Sequence, residues 1–360
     1  MASLGSPDGV IPRPVPPRSR CERRSQAGGS IAASGGGVAE TPPEFASGAI
    51  RRAVPWIMAV AAILAPAPLL AHAGRALAPH DAWTAWSFDL GIVVPLFLSA
   101  WLYSRGVERM WRRSGAGRGV RRWEAACFAG GWVALLVALV SPLHAVGEAL
   151  FSAHMVQHEL LMAVAAPLLV LGRPVVPFLW AVPMRWRRRV GGWSKRTPVR
   201  AAWRGMTGPF AAWFLHAAAL WLWHLPPAYQ AAVRSGAVHA LQHASFLGTG
   251  LLFWWAVLHG REGRVGYGAS VLSLFATAMH SGGLGALLTL TSRPWYPWYA
   301  GSTAAWGLTP LEDQQLAGLI MWVPAGAVYL IAALALVAAW MRESGRRGAR
   351  WQARGVLGTT

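Results

Sequence analysis

From residue 87 onward the chain alternates long apolar runs with short polar connections. Seven runs stand out, near 87 to 104, 124 to 141, 154 to 172, 207 to 225, 236 to 258, 266 to 290 and 314 to 341. Each has about the 18 or more residues at which an apolar stretch becomes a candidate bilayer span. Alternation of period two is absent, and a backbone in lipid must satisfy its own hydrogen bonds, so these runs are expected to be helices rather than barrel strands. The pattern predicts an all-α membrane protein, a polytopic bundle of seven transmembrane helices occupying residues 83–341, with a basic cytoplasmic tail at 342–360.

The region before the bundle reads differently. Residues 1–49 are rich in Pro, Gly, Ser and Arg without apolar periodicity, the mark of a disordered extension or of a start codon assigned too early. Residues 50–73 place Arg51 and Arg52 before an apolar run that ends Ala71-His72-Ala73, the order of a secretory signal. Both a signal peptide cleaved after Ala73 and an uncleaved extra span fit that order.

Composition agrees with a membrane class: of 360 residues 54% are hydrophobic and 13% charged, and 22 are Trp. The net charge of +19 would raise nucleic acid as a partner if it were spread over a face. Instead the segments 105–122, 173–204, 261–264 and 342–354 hold 23 Lys and Arg, against 3 in 74–86, 226–235 and 292–312 and none in 142–153. By the positive-inside rule the first set is cytoplasmic, the mature N-terminus is outside and the C-terminus inside. The basic blocks are then topology signals that can also touch anionic lipid, and no nucleic acid is expected. Cys21 and Cys127 are too far apart in sequence to argue for a thiolate pair, so a soft-metal site would have to use His and Met.

With that topology, six of the 11 histidines fall at the outer boundary: His144, His154, His158, His224, His239 and His243. His154/His158 and His239/His243 are two i, i+4 pairs, each presenting two rings on one helix face. The seventh run begins outside with Glu312, Asp313, Gln314 and Gln315, so four spans converge at this level. Such side chains are costly within a membrane, and their gathering points to function. Neutral imidazole is a common metal ligand, with Asp or Gln as partners that fix the ring. Met155, next to His154, and Met162, one turn beyond His158, add thioether sulfur, a combination that favours copper, while imidazole alone also suits zinc. The metal candidates are therefore His154, His158, His224, His239 and His243, with His144, Met155, Glu159 and Met162 in support.

Other chemistries fit less of the pattern. His158-Glu159-Leu160-Leu161-Met162 begins like H-E-x-x-H but lacks the second ligand, and no nucleophile or phosphate-loop motif is present, so no enzyme activity is expected. A haem b between the two histidine pairs is an alternative, although two histidines on one helix cannot both ligate one iron. His216, about 12 Å along the helix from His224, and His280 would be steps on an inward path in a copper permease, a further alternative.

The strings HMVQHELL, APLLVLGRP, WLWHLPPAY, VHALQHASFL and DQQLAGLIMW, in this order at span ends, resemble the multi-pass cytochrome c oxidase assembly factor CtaG family, from about Trp83 to Met341. The resemblance implies a bacterial plasma-membrane protein that serves the biogenesis of a haem-copper terminal oxidase, with copper binding or delivery as its role. Oxidase subunits, periplasmic copper chaperones and the lipid bilayer are the implied partners. It carries over to His154, Gln157 and His158, to His224, Pro226 and Tyr229, to His239 and His243, and to Asp313, Gln314 and Met321. Glu159 and Gln242 depart from the family pattern and leave the histidines intact.

Overall fold

The computed structural model describes residues 77–259 and 266–357. The expected extension at 1–49, the signal segment at 50–73 and the basic connection 261–264 lie outside the described residues. Among those described, all regular structure is helical, as the apolar runs predict.

In chain order the helices are α1 Leu90–Ser114, α2 Arg122–Leu139, α3 Leu143–Ala149, α4 Phe151–Leu171, α5 Val175–Ala181, α6 Met184–Ser194, α7 Thr197–Met206, α8 Pro209–His224, α9 Pro226–Arg234, α10 Gly236–His259, α11 Gly266–Leu290 and α12 Pro310–Leu357. Six of them, α1, α2, α4, α10, α11 and α12, are long and apolar enough to cross a membrane. The expected span at 207–225 is the exception. It forms α8, 16 residues or about 24 Å of helix, shorter than a bilayer core of about 30 Å. Pro226 and Pro227 do stop α8, because Leu225 before them is extended, yet Pro226 then opens α9, where a missing N–H costs nothing.

Helix starts follow their capping chemistry. Asp89 accepts the Gly91 N–H at 2.7 Å ahead of α1. Thr309 and Glu312 cap α12 reciprocally, the Thr309 N–H donating to Glu312 Oε2 at 2.8 Å and the Glu312 N–H to Thr309 Oγ1 at 3.2 Å.

The most buried span, α4, is central. Its Leu161 and Ala165 pack with α1 and α2, its Met155 and Met162 with Leu220, Phe246 and Leu284, and its Ala166 and Val170 with Phe253, Trp254 and Tyr329. A π-helical turn, Leu160–Ala165, interrupts it, and Trp254 Nε1 donates to the Met162 carbonyl at 2.9 Å within that turn. Such turns insert one residue and rotate the faces on either side relative to each other. In α4 the turn lies just beyond the histidine pair.

The most extensive helix contact is α11 on α12. A Cβ on Gly285 would lie 2.7 Å from the Gly318 carbonyl oxygen, so the backbones approach as closely as they do only without side chains there. Basic residues gather where α1 ends. Arg109 donates to the Trp180 carbonyl at 3.1 Å, and Arg173 pairs with Glu124 at 3.6 Å. His154 stands at the opposite end of α4 from Arg173, 17 helical residues before the helix ends at Leu171.

Candidate functional site

At the end of the bundle away from those arginines, six imidazoles meet. His154 and His158 come from α4, His239 and His243 from α10, His224 from the last turn of α8 and His144 from the short α3. The i, i+4 spacing stacks each pair: ring centroids are 4.4 Å apart for His154 and His158 and 4.2 Å for His239 and His243. The two pairs face each other, His154 to His239 at 5.0 Å and His158 to His243 at 5.3 Å. His144 stacks on His239 at 5.5 Å, and His224 approaches His158 at 6.0 Å. Separate stretches of sequence thus supply one contiguous imidazole group.

Within it, His154, His239 and His243 each offer a nitrogen, and these three atoms lie within 4.8 Å of one another. Bonds of about 2.0–2.1 Å around a tetrahedral ion need ligand nitrogens about 3.3 Å apart, a difference that small side-chain rotations close. His154 Nε2, His239 Nε2, His243 Nε2 and both nitrogens of His158 are enclosed with no hydrogen-bond partner among the described residues. Enclosed polar atoms are nearly always paired in proteins, so five orphaned ring nitrogens from four histidines in one cluster fit a group that binds something these rings would coordinate.

Surrounding residues fix the rings. Gln157 Nε2 donates to the Ala138 carbonyl at 2.6 Å and lies 3.3 Å from His144 Nδ1. Burial holds the His144 imidazole below its ordinary range, against the opposite pull of the Glu148 and Asp89 carboxylates, which keeps the ring in its neutral form. Tyr229 and Tyr299 join hydroxyls at 2.7 Å, and Tyr299 OH also lies 3.4 Å from His154 Nδ1 and 3.2 Å from the Gly147 carbonyl oxygen. Burial pushes both phenols well up, so each remains protonated. Gly147 permits this arrangement: a Cβ there would collide with Gln157 Oε1 and sit 3.4 Å from the His154 Cα.

The other expected residues have separate positions. Met155 does join the cluster, its sulfur 3.4 Å from His224 Nε2. Met162 and Met321 are buried in the adjoining apolar cluster, packed with Leu220, Phe246, Leu284 and Leu288. Glu159 precedes the π turn, its Oε2 enclosed with no partner among the described residues. Asp313 is fully buried but serves the backbone: Oδ2 accepts the Phe151 N–H at 2.7 Å and Oδ1 the Ser152 N–H at 3.1 Å, capping α4 and so setting the depth of its histidines. Gln314 ties down the connection before α12, accepting the Trp295 N–H at 2.6 Å. His216 pairs with Thr249 Oγ1 at 3.2 Å, and His280 stands beside Trp213 at 5.8 Å. Tyr299 is the contributor that sequence reasoning missed, because the Trp-rich stretch around it reads as interfacial anchoring.

Comparison with known proteins adds the family. The family model described as cytochrome c oxidase caa3 assembly factor (Caa3_CtaG) matches residues 101–343. Among curated proteins, the uncharacterized protein Mb0105 of Mycobacterium bovis and MT0111 of Mycobacterium tuberculosis are each 29% identical over 279 residues, covering 74% of this chain and 41% of theirs. ML1998 of Mycobacterium leprae is 29% identical over 284 residues with the same coverage. The chain thus spans about two fifths of the length of these relatives. No solved structure matches it. The match covers α2 through α11 whole, and with them all six clustered histidines, and on that ground this membrane protein belongs to the cytochrome c oxidase caa3 assembly factor family.

Proposed function

We propose that this protein assists the maturation of a haem-copper terminal oxidase in the bacterial plasma membrane by holding copper at its histidine cluster and releasing it toward the oxidase. The observation that carries the reading is the imidazole group contributed by α4 and α10, which has enclosed ring nitrogens without a partner among the described residues and in which His154, His239 and His243 each bring one nitrogen within 4.8 Å of the other two. Copper is the cargo here, and His154, His239 and His243 are its ligands. His158 is the neighbouring ring that receives or passes the ion, while Gln157 and Tyr299 orient His144 and His154. Met155, its sulfur 3.4 Å from His224 Nε2, adds a soft donor beside this group, which favours copper over zinc as the cargo.

Several features support a copper site over a haem site. Neighbouring rings within the His154, His239, His243 and His144 group stand 4.2–5.8 Å apart, so the space a macrocycle would occupy is already filled by imidazoles. The charge pattern supports an extracytoplasmic cluster, since Arg109 and Arg173, from two of the basic segments, lie at the opposite end of the bundle. Copper delivered from that side, by a soluble chaperone, would reach the site without crossing the membrane.

The test is genetic. Cells lacking the gene are expected to have low oxidase activity that excess copper restores. A His158→Ala, His243→Ala double variant, present in the membrane at normal level, is expected to behave as the deletion does. Full oxidase activity in that variant would refute the reading.

A further inference from the structure

His224 differs from the other clustered histidines in having both nitrogens committed. Nδ1 lies 2.7 Å from the Leu220 carbonyl oxygen, one turn back on α8. A carbonyl only accepts, so the ring proton is on Nδ1 and Nε2 carries a lone pair. That lone pair points at the Met155 sulfur, 3.4 Å away. A thioether has no proton to donate, so two electron-pair donors face each other in a fully buried place. A doubly protonated ring would remove the conflict, but among the described residues no carboxylate pairs with His224, and a lone buried cation is costly. A soft cation between nitrogen and sulfur resolves it directly.

A cavity of about 360 Å³ lies beside this pair, with His224 in its wall together with Trp221, Leu225, Pro226, Leu284 and Trp295 of α8, α9, α11 and the connection before α12. His158, neither of whose nitrogens has a partner among the described residues, stands 6.0 Å from His224 and 5.3 Å from His243 between ring centroids.

We propose that His224 and Met155 form a second metal station, selective for monovalent copper over divalent ions, loaded through this cavity and relayed by His158 to the three-imidazole group. This rests on the copper reading above and extends it from one ligand set to an ordered pair. The ion keeps its charge throughout. Each step exchanges one ligand for the next, sulfur and nitrogen at the entrance for nitrogens alone at the end. Monovalent copper accepts two-coordinate sites with thioether ligands, whereas zinc requires a fuller set of harder donors.

The experiment loads the full chain, purified in detergent under anaerobic conditions, with Cu(I) or with Zn(II), and combines metal counting with X-ray absorption at the metal edge. Wild type is expected to hold two Cu(I) with sulfur in the average shell, and one Zn(II) with none. Met155→Leu, a substitution that nearly conserves volume, is expected to hold one Cu(I) with nitrogen only. Met110→Leu, at a buried methionine of the α1–α2 packing, is expected to match wild type. Sulfur scattering that persists in Met155→Leu, or a wild-type shell of one Cu(I) with nitrogen alone, overturns the station and leaves the three-imidazole reading standing. Failure of every form to take up copper overturns both.

Discussion

The clustered histidines meet through helix packing that their own sequence neighbourhoods do not announce. The i, i+4 pairs are legible because helical periodicity alone puts two rings on one face. The facing of the pairs is not, since it depends on how α4 packs on α10. Asp313 illustrates the difference: its position among EDQQ suggests a partner for a ring, and in the fold it caps a helix 162 residues earlier in sequence. Asp313→Ala removes acceptors for two backbone N–H groups and is expected to lower stability by about 1–2 kcal/mol, seen as a reduced midpoint in thermal unfolding in detergent, with metal stoichiometry retained in the folded fraction. Tyr299 acts on His154 through a hydroxyl from 145 residues away, a relation with no local signal. Tyr299→Phe deletes that hydroxyl from a phenol held protonated, and metal affinity is expected to fall by about 10-fold to 100-fold at unchanged stoichiometry, measured by competition with a chromogenic chelator.

At the scale of the helix, hydropathy predicts where spans lie and much less about where helices end. The run expected to close near 104 continues as α1 to Ser114, and the last continues as α12 to Leu357. Arg is a good helix former, so a helix need not stop where the membrane does. The short α3, α5, α6, α7 and α9 escape a search for spans because none is long enough to cross a bilayer, and α3 carries one of the six clustered histidines. The glycines of α11 are legible as a close-packing signal, and Gly285 against Gly318 fulfils it. Gly285→Leu is expected to force α11 and α12 apart, with a loss of about 1–3 kcal/mol visible in the same thermal assay and little effect on the ligands themselves.

For the molecule as a whole, the charge asymmetry and the histidine end make one statement about orientation. Reporter fusions in the 226–235 and 292–309 connections are expected to be active outside the cytoplasm, and a fusion after residue 342 inside it. A cytoplasmic signal from the first two would place the cluster on the side where the copper supply proposed here does not reach it. The membrane class, the family and the histidine pairs can all be read from the chain; the shortness of α8, the π turn of α4 and the tyrosine brace cannot, because each is decided by packing between segments far apart in sequence. The most direct measurement is metal content with an absorption spectrum on one purified sample of the full chain, set beside a His154→Ala, His243→Ala variant. Copper in the wild type, none at the three-imidazole group in the variant and no Soret band is the expected result. A haem spectrum, or wild-type protein that takes up no metal, would contradict it.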